Sequence, residues 1–456
     1  MRIIVSGDDE VGLTVAESLM HAHGVVLIAP VGFDAPRLDR LDIEVIGGRA
    51  TAREVLRSAG ADRCAAFIAC TDNDELNIVS CLAARALGTE KTICMLGRPG
   101  FFDAKDDDRS MAKALGVDLV VRPWDRLARE ILRVITVPGA LDVELLARNQ
   151  VALLRSAVEE DAPITGYPIK QYLLPADATL VGLRRGEELS IPTGDTHLRA
   201  GDKLTVMGTP KAVQDLLHNH LRAPIPHNDK KSVIIVGGGV VGFLVARGLE
   251  ERGWQIKLVE IDRDRCEELA SRLPKTLVLH GDGSDMDLLE EEQVDAAAVL
   301  VAVTDNDEKN LLVSMLAKTL GVPRIVTRAG RLINERLFER VGVDIVRSAR
   351  GAAVRAIIEA AVETKQAIRA ELEHGDVHVV ELELPEGYPP TALRDIHTNL
   401  FAIVGAVVRG TVVEIARGDT EVRAGDHLFL FCTQEDEDKT LELFLTTPPT
   451  PKNAEA

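Results

Sequence analysis

The sequence predicts an α/β chain built as a tandem repeat: a doubly wound parallel-sheet domain followed by a small α+β lobe, twice over. Three observations predict it. First, the chain repeats itself. Arg2-Ile-Ile-Val-Ser-Gly7-Asp-Asp-Glu-Val-Gly12 matches Ser232-Val-Ile-Ile-Val-Gly237-Gly-Gly-Val-Val-Gly242, and the run 69–77 matches 302–310. Gly116–Arg122 matches Gly342–Arg347, and Arg199-Ala-Gly-Asp-Lys-Leu204 returns as Arg423-Ala-Gly-Asp-His-Leu428. Markers in one order at nearly one spacing are the mark of duplicated structural units. Second, residues 1–122 and 232–347 alternate short β-branched apolar runs with helix-period patterns, as βαβ units of a parallel sheet do. Third, each half then changes character, passing through a helical stretch into short strands broken by turns such as Gly410-Thr411 and Gly418-Asp419. The larger domains are therefore expected to be Rossmann-like.

Taken in order, residues 1–122 form the first sheet domain, 123–140 a helical region and 141–222 the first small lobe. A linker at 223–231 carries two prolines and a charge cluster. The second sheet domain spans 232–347, and a second crossover helix is expected over 348–370. Its face is Val354, Ile357, Ile358, Ala361 and Val362. The second small lobe covers 371–445, and the Pro- and Thr-rich residues 446–456 are expected to be disordered.

Composition narrows the function. Hydrophobic residues make up 46% and charged residues 27%, the balance of a soluble globular protein. The net charge of −19 repels phosphate backbones and argues against a nucleic-acid partner. Six cysteines, at 64, 70, 81, 94, 266 and 432, include no Cys-x-x-Cys pair. Mostly in apolar runs, they read as buried reduced thiols of a cytosolic chain. No apolar run approaches the about 18 residues of a membrane span, so no direct membrane insertion is expected. With strand residues beginning at Arg2, no signal peptide is expected either.

The candidate site lies in the second half. Gly237-x-Gly239-x-x-Gly242 follows a strand, Ser232–Val236, and opens a helix that includes Val240 and Val241, the context the dinucleotide fingerprint requires. Gly237 makes the tight turn, Gly239 (with Gly238 beside it) lets a pyrophosphate approach the backbone, and Gly242 lets the helix close on the sheet. The helix N-terminus offers free N–H groups to phosphate. The next strand ends at Glu260, 18 residues past Gly242 and close to the about 20 at which a ribose-binding acid belongs; Asp262 is the alternative. A carboxylate there favours NAD(H) or an adenine nucleotide over NADP. After the third strand, Gly281-Asp282-Gly283-Ser284 either borders the adenine or makes an ordinary turn with Asp282 or Ser284 as helix cap. Thr304 to Glu308 lie at the carboxyl end of the buried run Val299–Thr304, on the crevice edge, and Thr304 or Asp305 is equally a helix cap. The run Asp305-Asn306-Asp307 lacks the loop glycine and twelfth-position Glu of a calcium loop, so no metal is assigned.

The first half breaks the same rules. The possible degenerate second site holds Gly7, Asp9, Gly12, Thr71 and Asp72, but Asp9 replaces the middle glycine and repels a pyrophosphate. The second strand, Val25–Pro30, ends without an acid, and Leu96 is aligned with Arg328.

These motifs carry a resemblance. With Val137-Pro138-Gly139-Ala140-Leu141, the run 302–310 and the paired Ala-Gly-Asp-x-Leu turns, nearly the whole chain resembles the regulatory subunit of the Trk potassium-uptake system, the TrkA-like proteins with two RCK (KTN) modules. The resemblance implies a non-enzymatic, cytoplasmic protein, peripheral on the cytosolic face of the inner membrane. It also implies self-association into a ring, a tetramer, beneath a separate membrane potassium-translocating subunit. NAD(H), or ATP or ADP, would bind Gly237–Gly242, Glu260, Asp282, Thr304, Asp305 and Arg328 and so control the pore. Two rival readings are an NAD-dependent oxidoreductase, for which neither small lobe offers a His, Lys or Tyr constellation, and a stand-alone nucleotide sensor without a channel partner.

Overall fold

The computed structural model describes residues 1–20, 23–33, 41, 43–98, 111–137, 139–147, 149–186, 188–222, 231–361, 366–372, 377–396 and 402–445. Pro138, the linker residues 223–230, Val362 and the tail 446–456 lie outside them. The chain divides into two compact units, Met1–Leu132 with Lys230–Val362, and Arg133–Asp229 with Glu363–Ala456. Among the described residues, no helix is long and apolar enough to cross a membrane.

The first unit holds both parallel sheets. In the first half β1 (Arg2–Ser6), β2 (Gly24–Ala29), β3 (Glu44–Gly47), β4 (Ala66–Ala69), β5 (Thr92–Met95) and β6 (Leu119–Val121) stand in the order β3-β2-β1-β4-β5-β6. The helices α1 (Glu10–Met20), α2 (Arg53–Ala59) and α3 (Asp74–Leu87) connect them, and α4 (Pro123–Thr136) follows. β1, β4 and β5 are buried almost throughout, as strands covered on both faces must be.

The first half continues into the second unit as β7 (Ala140–Leu146), β8 (Val151–Ala157), β9 (Ala178–Arg185), β10 (Glu188–Ser190), β11 (Lys203–Gly208) and α5 (Pro210–Asp215). The second half repeats the sheet with β12 (Ser232–Val236), β13 (Gln255–Glu260), β14 (Thr276–His280), β15 (Val299–Ala302), β16 (Ile325–Ala329) and β17 (Ile345–Ser348), ordered β14-β13-β12-β15-β16-β17. Its helices are α6 (Val240–Glu250), α7 (Arg263–Arg272), α8 (Met286–Glu291), α9 (Asp307–Thr319), α10 (Leu332–Val341) and α11 (Ala349–Ala361). In both sheets the chain reverses direction of progress between the first and fourth strands, and that switch point opens a crevice at the carboxyl ends.

The helix that follows each parallel sheet serves the other half. Ala353, Val354, Ile357 and Ile358 of α11 pack with Ile3, Val5, Ile68 and Val121 in the core of the first sheet. In return, Leu132 of α4 lies against Gly248 of α6, so close that a Cβ there would stand 2.6 Å from its Cδ1. Arg355 and Glu130 pair between the two helices at 2.6 Å.

The expected helix over 348–370 is shorter than its composition suggests. It ends at Ala361, and Gln366–Leu372 is a strand, β18, paired antiparallel with β19 (Val377–Glu383). Beyond Gly351 in its first turn the stretch has neither Gly nor Pro and so carries no local stop signal, and sheet pairing overrides its helix propensity. β20 (Thr391–Ala392), β21 (Ala402–Arg409), β22 (Val412–Ile415), β23 (Glu421–Val422), β24 (His427–Thr433) and α12 (Glu437–Leu445) complete the chain. Within the second unit the two five-stranded sheets share one core, where Leu153, Val181 and Met207 meet Val379, Phe429 and Phe431. Gly182 makes room for Phe431, and Gly405 for Met207.

The repeated Arg-Ala-Gly-Asp turns are explained here. Asp202 accepts from Arg185 Nε and Nη2 at 2.8 and 2.7 Å and from the Arg199 N–H at 2.8 Å. Asp426 does the same with Arg409, at 2.7 Å twice, and with the Arg423 N–H at 2.9 Å. All six cysteines are buried and free.

Candidate functional site

A glycine turn between a buried strand and a helix is a set of close approaches, and the second half shows which glycine does what. Gly237 has φ +107, and a Cβ there would meet the Thr304 nitrogen at 2.9 Å. At Gly242 a Cβ would lie 1.9 Å from the Gly237 carbonyl oxygen, so α6 closes on the turn only without a side chain. Gly239 differs. It caps α6 with φ −62, and no atom lies within 4 Å of the place its Cβ would take. Nothing in the fold demands glycine at 239; what its absent side chain leaves is a clear approach to the N-terminus of α6.

That approach opens into a cleft of about 650 Å³ at the carboxyl edge of the sheet. Of the expected residues it gathers Gly237, Gly239, Val240, Val241, Glu260, Asp282, Gly283, Thr304, Asp305 and Arg328. Gly238 and Gly242 do not line it; they pack inside the turn. Trp124, Asn306 and Lys309 line it as well.

Glu260 is half-buried at the end of β13. Its Oε2 accepts from the Gly238 N–H at 2.6 Å and its Oε1 from the Asp262 N–H at 2.9 Å. The acid therefore fixes the glycine turn, and each oxygen keeps a lone pair for a hydroxyl group. Asp262 is instead the cap of α7, accepting from the Arg265 N–H at 2.9 Å. Asp282 accepts from Ser284 N–H and Oγ at 2.9 and 2.7 Å and from Lys309 Nζ at 2.9 Å. The Ser284 bonds, and then Lys309, hold its carboxyl down at about 2. The cap of α8 is Asp285, neither Asp282 nor Ser284.

The Thr304 run also resolves differently from its sequence reading. The strand ends at Ala302, and the cap of α9 is Asn306, not Thr304 or Asp305. Thr304 is bound through its N–H and Oγ1 to Asn310 Oδ1 at 2.9 and 2.7 Å, while Asn310 Nδ2 donates to the carbonyls of Thr304 and Arg328 at 3.0 and 3.1 Å. Asp307 reaches across to the Gly330 N–H at 2.7 Å. The first half repeats each bond: Asn77 clamps Thr71 to the Met95 carbonyl, and Asp74 takes the Gly97 N–H at 2.7 Å. The shared motif thus ties adjacent strand ends together in both halves. The same bonds correct an alignment: Met95, not Leu96, occupies the position of Arg328. Leu96 is fully buried on the opposite face, as alternation along a strand requires.

Arg328 donates from Nη1 to the Thr304 carbonyl at 2.8 Å, and its guanidinium lies 4.7 Å from the centre of the Trp124 ring. Its Nε is buried without a partner, and burial pushes the guanidinium pKa down.

In the first half Gly7 and Gly12 keep the tight turn; a Cβ on Gly12 would stand 2.5 Å from the Gly7 oxygen. Asp9 stands where Gly239 does, and its Oδ1 accepts from the Gly12 N–H at 3.0 Å. Burial raises its pKa against the pull of that N–H and of Arg350. The helix N-terminus that in the second half faces the cleft is here filled by the chain's own carboxyl. Asp9 and Asp72 line an adjoining hollow of about 490 Å³, which shares Trp124, Asp305, Asn306 and Arg328 with the cleft.

Sequence reasoning missed Trp124 and Lys309. The signal for Lys309 was a difference between the repeats, since Leu76 holds its place in the first half. Trp124 belongs to the other half of the chain, and only the exchanged helix brings it to the cleft.

Comparison with known proteins agrees with this architecture. The TrkA-N domain model matches residues 3–123 and 233–349, and the TrkA-C domain model matches 153–220 and 379–445. The chain is 32% identical over 446 residues to a Trk system potassium uptake protein TrkA homolog of Archaeoglobus fulgidus, covering 97% of this chain and 100% of that one. It is 29% identical to Trk system potassium uptake protein TrkA of Haemophilus influenzae, covering 95% and 96%. Among solved structures, the GsuK RCK domain superposes with a TM-score of 0.57 at 20% identity, over 97% of this chain and 94% of that one. The GsuK channel bound to NAD gives 0.58 at 19%, over 97% and 78%. These structures share the fold.

Proposed function

The chain belongs to the TrkA family of Trk potassium-uptake proteins, and on that premise we propose that it is the nucleotide-sensing regulatory subunit of such a system. NAD(H), or ADP or ATP, is the ligand of the second half, and a separate membrane subunit carries potassium. The observation that supports this most directly is the open approach at Gly239, aimed at the N-terminus of α6, with Glu260 beside it at the end of β13.

The residues fit a nucleotide. The α6 N–H groups face the pyrophosphate. Glu260 accepts from ribose hydroxyls, and its charge disfavours a 2′-phosphate. A non-enzymatic role suits Lys309, which is held by Asp282 rather than aimed as a proton donor. Self-association into a ring is supported by α10, where Ile333, Leu337 and Val341 recur one turn apart and are 72%, 52% and 43% exposed. Regulation is then linkage: nucleotide shifts the ring by its differential affinity for two shapes, about 1–3 kcal/mol of coupling.

The test is calorimetric titration with NADH, NADPH and ADP, alongside nucleotide-dependent potassium flux in vesicles holding this protein and its membrane subunit. NADH binding at one site per chain, NADPH weak, and flux that follows occupancy are expected. Glu260→Gln is the variant to use, because glutamine keeps an oxygen for the Gly238 N–H. Flux indifferent to every nucleotide overturns the reading.

A further inference from the structure

We propose that Trp124 and Arg328 form the distal half of the nucleotide cleft and take the second nucleoside of a dinucleotide, so that the first half of the chain completes the site of the second. The inference rests on the nucleotide reading above and names the ligand class it selects.

The geography of the sheet carries it. In the order β14-β13-β12-β15-β16 the ribose acid Glu260 and Arg328 stand on opposite sides of the glycine turn. Three strand spacings separate β13 from β16, about 14 Å. A nucleoside monophosphate bound at Glu260 reaches the glycine turn and stops. Only a ligand that continues past the pyrophosphate comes to β16.

What it meets there is not a phosphate site. The other cation of the cleft, Lys309, is held by Asp282, and Arg328 feels the charges of Asp307 and Asp305 before that of Arg350, with Glu308 on the same helix turn. A terminal phosphate would face those carboxylates. The wall offers an indole, a guanidinium with its Nε unfilled, and the Asp305 carboxylate, which together suit a base with a hydroxyl-bearing sugar. The indole is fixed in place: its Nε1 donates to the Gly97 carbonyl at 2.6 Å, and Gly97 is itself tied to Asp74. At the matching start of α11 stands Ala349, and Met95 replaces Arg328, so no second indole–guanidinium pair is built on the first sheet; the hollow beside Asp9 is bordered by the same Trp124 and Arg328.

The experiment titrates the full chain and its Trp124→Ala and Trp124→Phe variants with AMP, ATP and NADH. Trp124→Ala is expected to weaken NADH about tenfold, the scale of one lost base–aromatic stack, and to leave AMP unchanged. Trp124→Phe keeps a ring and should retain most NADH affinity. In a Trp254→Phe background Trp124 is the sole tryptophan, and NADH should quench its emission by energy transfer while AMP does not. Equal losses for AMP and NADH, or none, overturn the distal-site proposal while leaving the nucleotide reading intact. ATP binding that depends on Trp124 as strongly as NADH binding assigns the wall to phosphate and overturns it too. A wild-type chain that binds none of the three defeats the broader reading itself.

Discussion

Replacing Gly239 by aspartate gives the glycine turn of the second half the carboxyl that the first half carries at Asp9, and the structure says what should follow. The backbone at 239 has φ −62, which any residue adopts, and no atom lies within 4 Å of the new Cβ. Folding should therefore be unharmed. In the first half Asp9 accepts from the Gly12 N–H, so the new carboxylate should accept from Gly242 and cap α6, a contribution of about 1 kcal/mol. The same carboxylate then stands where a pyrophosphate would bind. Two unit charges about 4 Å apart repel by about 4 kcal/mol at an effective dielectric near 20, about three orders of magnitude in Kd. Gly239→Ala adds bulk without charge and should cost less. Gly242→Ala should fail to fold properly, because its Cβ would sit 1.9 Å from the Gly237 oxygen. Thermal melts and NADH titration, run on all three, separate the effects. A stable Gly239→Asp protein that binds NADH as the parent does would show that the phosphates lie elsewhere, and the reasoning would be wrong.

Other perturbations follow from the same bonds. Asn310→Ala and Asn77→Ala each leave strand-end backbone groups unpaired, the Thr304 N–H and Arg328 carbonyl or the Thr71 N–H and Met95 carbonyl, and should lower stability by roughly 2–4 kcal/mol in thermal or denaturant melts. Only the first should also weaken nucleotide binding. Asp426→Ala removes a bidentate pair from the second small lobe, a loss of about 1.5–3 kcal/mol by the same assay. Asp202 and Asp426 titrate low; burial pushes them up, but the arginine bonds outweigh it. Their contribution is therefore present above the ordinary carboxylate range and lost as pH falls through their folded values. Unfolding should steepen below about pH 4, and less so in an Asp202→Asn, Asp426→Asn double variant. Leu337→Asp on α10 should shift the assembly to smaller species in sedimentation, with the protomer still folded.

Much of the fold was legible because repeats and periodicity are local signals. β12, β13 and β14 begin and end where their apolar runs do, and Gly237 sits at the turn its spacing demands. The roles inside the Thr304–Asn310 run were not legible. Every polar residue there is a plausible cap or ligand on its own, and only the fold shows that Asn310 reaches back to Thr304 and across to Arg328. The bound of α11 failed for a related reason: the partner that draws Gln366–Leu372 into a strand, Val377–Glu383, lies downstream. Trp124 was invisible for the strongest reason, since its place in the cleft depends on a helix exchanged between distant halves.

That exchange bears on why a half without a fingerprint is kept. The first sheet is covered by α11, whose Val354, Ile357 and Ile358 are buried against it, each such side chain stabilising the fold by about 1.5–3 kcal/mol. The second sheet receives α4 in return, and with it Trp124. Neither half closes its own core or its own cleft. Duplication within one chain frees the two copies to diverge, and they diverge at residues that line the second half's cleft: Asp9 against Gly239, Met95 against Arg328, Leu76 against Lys309. The clamps that hold strand ends, Asn77 and Asn310, and the capping asparagines, Asn73 and Asn306, stay the same. A half that had merely decayed would lose packing and chemistry alike. Here the packing is intact and the anion position is filled by an internal carboxyl, which, on the proposed reading, fits a half that braces the nucleotide site of the other without competing for its ligand.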